Sequence, residues 1–151
     1  MNKRLFLSAC IAPLLVACSS LSRKHSATSQ SYPNNPAKRQ DIVMQAMAML
    51  DRGYTYGGKK LHTGFDCSGL VTFVYKESAG IALKGSAAQM AEVAKPIEPA
   101  LAHPGDLVFF NTLGSSFSHV GIYIGSGKFI HAANEKTGVK SERLSNSYWS
   151  K

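Results

Sequence analysis

The stretch that most constrains this chain runs from Gly64 to Tyr75, GFDCSGLVTFVY, and places a cysteine where a loop turns into a helix. Asp66 suits the N-cap, because its short carboxylate can accept a backbone N–H of the first turn. Leu70, Val71 and Val74 follow Cys67 at i+3, i+4 and i+7, so one apolar face anchors that turn to a core. The thiol is therefore held at a helix N-terminus. Free N–H groups and the positive end of the helix dipole favour a thiolate there, while the charge of Asp66 opposes it. Two readings stand at this point: a nucleophile, or a small buried cysteine that caps a core helix.

The N-terminus bears on that choice. Lys3 and Arg4 precede an apolar run from Leu5 to Ala17 with small residues before Cys18, the pattern of a secretory signal over residues 1–17 and too short for a membrane span. Leu15-Val16-Ala17-Cys18 resembles the lipobox of bacterial lipoproteins. That resemblance implies that Cys18 is lipidated and becomes the new N-terminus, with Ser19 after it pointing to the outer membrane; an ordinary cleaved signal is the alternative. Cys10 would leave with the signal and Cys18 would carry lipid, so Cys67 remains as a lone thiol in an oxidising compartment. Reactivity explains such a thiol better than packing does, since Ser or Ala would pack without oxidising.

Residues 18–35 read as the lipidated cysteine followed by a flexible tether, rich in Ser and Asn and without hydrophobic period. Such a coil spans roughly 20–25 Å on average. His25 within it reads as a solvated bystander. Of the 17 Lys and Arg, six (Lys3, Arg4, Arg23, Lys24, Lys38 and Arg39) lie before residue 41, leaving eleven against nine Asp and Glu. The folded part is thus nearly balanced, which argues against nucleic acid as a partner, because a phosphate-binding face would carry the excess.

Residues 36–151 suit one domain. Asn35-Pro36 predicts a helix start and Gly53 a stop, giving a helix over 36–52 with Ile42, Val43, Ala46, Met47 and Leu50 as its apolar stripe. Tyr54 to Gly58 reads as an extended piece ending in a turn, and Lys59 to Thr63 as a polar loop with His62 on the surface. Gly80 ends the cysteine helix. Ser86 and Gln89 fit a capping box, Ser at N-cap and Gln at N3, which opens a short helix closed by Pro96. The period then changes: 106–110, 119–124, 128–133 and 139–144 read as strands. Helices first and strands after imply an α+β domain with an antiparallel sheet packed on the helices.

His119 begins the second strand and His131 lies inside the third, joined around Gly125-Ser126-Gly127. A three-residue loop would pair Gly121 with His131 and His119 with Ala133, putting both histidines on one face, about 7–8 Å apart at Cα. A two-residue loop would separate them. Thiol chemistry needs such a set: a nucleophile, an imidazole base, and a group that fixes the imidazole. His119 would be the base and His131 the orienting group. The oxyanion donor would be the backbone N–H at the helix start or the Tyr56 hydroxyl. One Cys and two strand-borne His make no recognised metal spacing, and no cofactor is implied.

YTYGG at 54–58, DCSGLV at 66–71, PGDLVFF at 104–110, SHVGIYIG at 118–125 and FIHAA at 129–133 together resemble the NlpC/p60 family of cell-wall cysteine peptidases, across 36–151. The resemblance implies a papain-like α+β fold and hydrolysis of peptide bonds in peptidoglycan stem peptides. It assigns the nucleophile to Cys67, the base to His119, the third polar residue to His131 and an oxyanion contribution to Tyr56. It gives Asp66 and Ser68 a part in substrate recognition, and places Ser86 and Gln89 along the cleft, although Lys84-Gly85 stands where the family usually has an Arg. An end at Lys151, soon after Tyr148-Trp149, is short for the family and would weaken the sheet edge. A non-catalytic envelope lipoprotein that binds cell wall through the same cleft is the competing reading, and an amidase or acyltransferase a third.

Overall fold

The computed structural model describes residues 35–112 and 114–150, so the expected signal, the lipidated Cys18 and nearly all of the tether lie outside the described residues. Asn35 caps the first helix by accepting the Ala37 N–H at 2.9 Å, with Pro36 in the first turn. This helix, α1 (Pro36–Met47), stops short of the expected residue 52. Turns take over, and Asp51, not Gly53, adopts the left-handed conformation at φ 64°. The cause is tertiary. Asp51 N–H donates to Val139 at 3.0 Å and Val139 N–H to Arg52 at 2.8 Å, so the chain leaves the helix to bond the sheet. Ile42, Ala46 and Met49 are buried, whereas Met47, expected on the stripe, is exposed.

Two short strands, β1 (Lys59–Lys60) and β2 (Gly64–Phe65), pair antiparallel where the polar loop is expected. The cysteine helix α2 (Cys67–Ala79) starts and ends as predicted, with Gly80 left-handed behind it. Both halves of the Ser86–Gln89 box form and open α3 (Ala87–Val93). A 3-10 turn at Pro99–Leu101 follows, which no periodicity announces. Then β3 (Leu107–Phe110), β4 (His119–Gly125), β5 (Lys128–Asn134) and β6 (Gly138–Arg143) form an antiparallel meander in that order, each within a residue of the predicted run. The α+β expectation therefore holds.

The sheet has two different faces. Val120, Ile122, Ile130, Ala132 and Val139 are fully buried together with Leu70, Val71, Val74 and Tyr75, and form the core between sheet and helices. Each large side chain buried there contributes roughly 1.5–3 kcal/mol. Alternation sends Phe110, His119, Phe129 and His131 to the opposite face. The Pro104-Gly105-Asp106 turn is tied to both long helices: Arg39 of α1 meets Asp106 at 2.5 Å, and the Tyr75 hydroxyl of α2 donates to the Gly105 carbonyl. Arg39, grouped by sequence with the linker charges, is thus a partly buried structural cation.

Among the described glycines, the closest approach of neighbouring backbone is at Gly69. A Cβ at that position would lie 1.9 Å from the Gly58 carbonyl oxygen, so the YTYGG loop presses on the first turn of α2 only because residue 69 lacks a side chain. Gly→Ala inside a helix ordinarily stabilises by about 1 kcal/mol. Here Gly69→Ala should instead lower the unfolding free energy by roughly 1–3 kcal/mol, because backbone must move to admit the methyl group. The urea midpoint reads the sign, and a raised midpoint would contradict this contact.

Candidate active site

The head of α2 is assembled by one carboxylate. Asp66 Oδ1 accepts the Gly69 N–H at 2.6 Å and the Ser68 hydroxyl at 3.0 Å, while Oδ2 accepts the Gly57 N–H at 2.9 Å. The Asp66 N–H in turn donates to Gly58 at 3.1 Å. The loop of 54–58 and the DCSG turn are therefore one unit, with Cys67 at its centre. Ser68 is buried, and exposed Ser86 and Gln89 hold each other in their box. All four residues expected to meet substrate are thus engaged in capping α2 and α3.

Tyr56 is 88% exposed. It occupies the second position of a turn closed by Gly58 N–H on Thr55, with Gly57 at φ 72°, and that geometry turns its ring outward. Tyr54, which pairs with Phe65 and packs against the core, is the phenol close enough to Cys67 to feel its charge. Burial first and Cys67 second raise the Tyr54 pKa. The phenol expected beside the thiol is therefore Tyr54 and not Tyr56. The Gly57-Gly58 turn was the available signal, since it ends the extended run before Tyr56.

The histidine hairpin closes by two residues, Ser126 and Gly127, both at positive φ as in a type I′ turn. Alone, that turn would have parted the histidines. An irregularity between Tyr123 and Gly125 inserts one residue and restores the register Ile122↔Ile130. Extended toward the histidines, this register sets Gly121 opposite His131 and His119 opposite Ala133. His119 Nε2 and His131 Nδ1 lie 2.8 Å apart in a buried hydrogen bond, with the rings nearly perpendicular. The β4–β5 ladder stops at Ile122–Ile130, and the N–H of Val120, next to His119, is directed to the Cys67 sulfur. The N–H groups of Cys67 and Ser68 favour the thiolate as well.

Burial outweighs them. It pushes the Cys67 thiol up, and Asp66 adds to the rise, in the direction its charge was expected to act against the helix-start N–H groups. Burial also holds His119 down at about 4 and His131 at about 3, with the His119 and Lys140 charges pushing His131 the same way and Glu142 pulling both back up. These shifts all favour the uncharged forms, of the thiol and of the two imidazoles alike. An unfolded chain takes up these two protons near pH 6.5 and the folded one does not. The stability they contribute is whole above pH 6.5 and is lost as pH falls toward 4 and 3. Melting temperature should drop across that window, and His131→Gln should flatten the drop; parallel curves for the two proteins would contradict it.

Residues 51–151 match the NlpC/P60 family. The chain is 35% identical over 148 residues to the murein DD-endopeptidase MepH of Escherichia coli K12, covering 95% of this chain and 52% of that protein. It is 40% identical over 109 residues to the gamma-DL-glutamyl hydrolase of Bacillus subtilis 168, covering 72% of this chain and 26% of that protein. The chain thus spans about a quarter to a half of the length of these relatives. The crystal structure of the NlpC/p60 domain of the peptidoglycan hydrolase SagA superposes with a TM-score of 0.65 at 31% identity, over 73% of this chain and 92% of that one. Conserved fold, matching motifs and the Cys67-bearing helix against the histidine hairpin lead to one conclusion: this chain belongs to the NlpC/P60 family and has its α+β, papain-like fold.

Proposed function

We propose that the chain is a cysteine peptidase that hydrolyses peptide bonds in peptidoglycan stem peptides or cross-links, with Cys67 as nucleophile, His119 as general base and His131 as the group that orients it. The observation that carries this reading is the buried bond between His119 Nε2 and His131 Nδ1, next in sequence to the Val120 N–H that favours the Cys67 thiolate. With His119 Nε2–H donating to His131 Nδ1, the lone pair of His119 Nδ1 is left for the Cys67 proton. A relative named a murein DD-endopeptidase and a structural neighbour named a peptidoglycan hydrolase support the substrate class.

Because thiol and imidazole rest neutral, the proton moves as the bond forms. Cys67 Sγ attacks the scissile carbonyl carbon while its proton passes to His119 Nδ1. The oxyanion of the tetrahedral intermediate is met by backbone N–H at the start of α2 and by the Tyr54 hydroxyl. Collapse breaks the C–N bond, and the His119 proton leaves on the amine. Water, deprotonated by the same imidazole, then attacks the thioester and returns Cys67 as a thiol. In this reading the domain works at the periplasmic face of the outer membrane, held by lipid on Cys18 at the end of its tether.

Incubation of the protein with isolated peptidoglycan should release shortened stems or open cross-links, resolved by mass spectrometry of the muropeptides. Cys67→Ser should reduce the rate by about a thousandfold or more. Binding to the wall with an unchanged muropeptide profile would instead favour the non-catalytic alternative. For the anchor, Cys18→Ala should shift the protein from the membrane fraction to the soluble one; continued membrane retention would count against lipid at that residue.

A further inference from the structure

On the face of the sheet away from the core, the two imidazoles belong to a small aromatic cluster whose outermost ring comes from beyond β6. After Arg143 the chain curls back: Leu144 N–H donates to Gly127 at 2.8 Å, and Asn146 N–H to Arg143 at 3.1 Å. Asn146 then fixes the next residues, its side chain accepting the Tyr148 N–H at 2.9 Å and its carbonyl the Trp149 N–H at 2.9 Å. This lays the Trp149 indole over the histidines. It stacks on His119 at 5.4 Å with 25° between planes, and meets His131 edge-to-face at 5.1 Å and 85°. Phe110 and Phe129 flank the indole at 4.6 and 5.3 Å.

The indole is held from its other end. Trp149 Nε1–H donates to Glu142 Oε2, and Lys140 pairs with Glu142 Oε1. Lys140 lies directly opposite His131, and Glu142 opposite Phe129, so both side chains stand on the histidine face. His131 is 1% exposed, and its Nε2 has no hydrogen-bond partner among the described residues. The hydrogen bond to His119 is therefore the bond that sets its orientation, and water reaching that bond would compete for both rings. The arrangement points to a barrier and an anchor in one.

We propose that Trp149, held by Glu142, is a positioning residue of the His119–His131 pair: it fixes the plane of the base, keeps water from the bond between the rings, and offers its π face to the imidazolium formed during the reaction. Parallel stacking suits the last role, because an indole face attracts a cation laid over it. Glu142 adds a negative charge that favours the same protonated state. Lys140 on β6 is the other charged side chain acting on the pair, and it pushes His131 the opposite way. The proposal rests on the reading of Cys67 and His119 as the reacting pair, yet its decisive readout requires no substrate.

Imidazole titration followed by NMR in the full-length protein separates the roles by sign. Trp149→Ala opens the rings to water, and because burial is the largest cause holding His119 at about 4, this outweighs the lost π contact: His119 should titrate higher, toward the ordinary 6.5. Glu142→Gln keeps an acceptor for the indole N–H but removes the charge, so the imidazoles should titrate lower than in the wild type. A role in folding alone would not produce opposite shifts. On peptidoglycan fragments, Trp149→Ala should lose roughly 10- to 100-fold in kcat with KM little changed, and Trp149→Phe should recover part of the loss. If Trp149→Ala does not fold, Trp149→Phe and Glu142→Gln carry the titration. Unchanged titration in the folded variants, or a loss confined to KM, would overturn the proposal. Absence of turnover in the wild type, with the opposite shifts present, would overturn the peptidase reading and leave the positioning in place.

Discussion

The Asp66 carboxylate is the constraint from which the site follows. It caps α2, holds Ser68 and binds the Gly57 N–H, so that two separate stretches of backbone converge on Cys67. The cap is worth about 1 kcal/mol to the helix. Its larger effect is geometric, because it welds the YTYGG loop to the DCSG turn and sets the head of α2 against the strand that carries His119. That choice has an electrostatic cost. A carboxylate one residue from the sulfur raises the thiol's pKa, in the same direction as burial and against the N–H groups that would lower it. Assembly of the site and ionisation of its thiol are in opposition, and assembly prevails.

The bias toward uncharged forms has a structural counterpart on the sheet. β4 and β5 stay paired only as far as Ile122–Ile130. Beyond that point the Val120 N–H serves the sulfur, and the side chains of His119 and His131 bond each other. An opened ladder ordinarily leaves backbone groups free to act elsewhere; here the Val120 N–H acts on the thiol at the head of α2. Aromatic rings then close the far side, with Trp149, Phe110 and Phe129 packed around the imidazoles. The same burial that depresses both histidines makes the hydrogen bond between them strong and their orientation single-valued.

Much of this was legible in the sequence, because local rules and tertiary structure agree there. The Asp66 cap, the apolar i+3, i+4, i+7 face of α2, the Ser86–Gln89 box and four strands of alternating pattern each form as their chemistry suggests. What was not legible depends on contacts between distant segments. α1 ends early because Asp51 and Arg52 bond Val139, some ninety residues later in sequence. The shared face of the histidines depended on loop length, and the hairpin reaches it by a different route, a two-residue turn compensated by an irregularity in β4. Tyr54 and Tyr56 share a parity that only the intervening turn breaks. Burial, which decides the protonation of Cys67, has no local signature at all.

In the proposed peptidase, Cys67 waits as a neutral thiol and gives up its proton to His119 only as the new bond forms. The rate of Cys67 alkylation by iodoacetamide, measured from pH 5 to 10 on the folded protein, tests this most directly, since the thiolate is the species that reacts. The rate should keep climbing past pH 8, with a midpoint at or above the ordinary thiol range of about 8.5. A rate already level by pH 6 to 7 would show a preformed thiolate–imidazolium pair and contradict it.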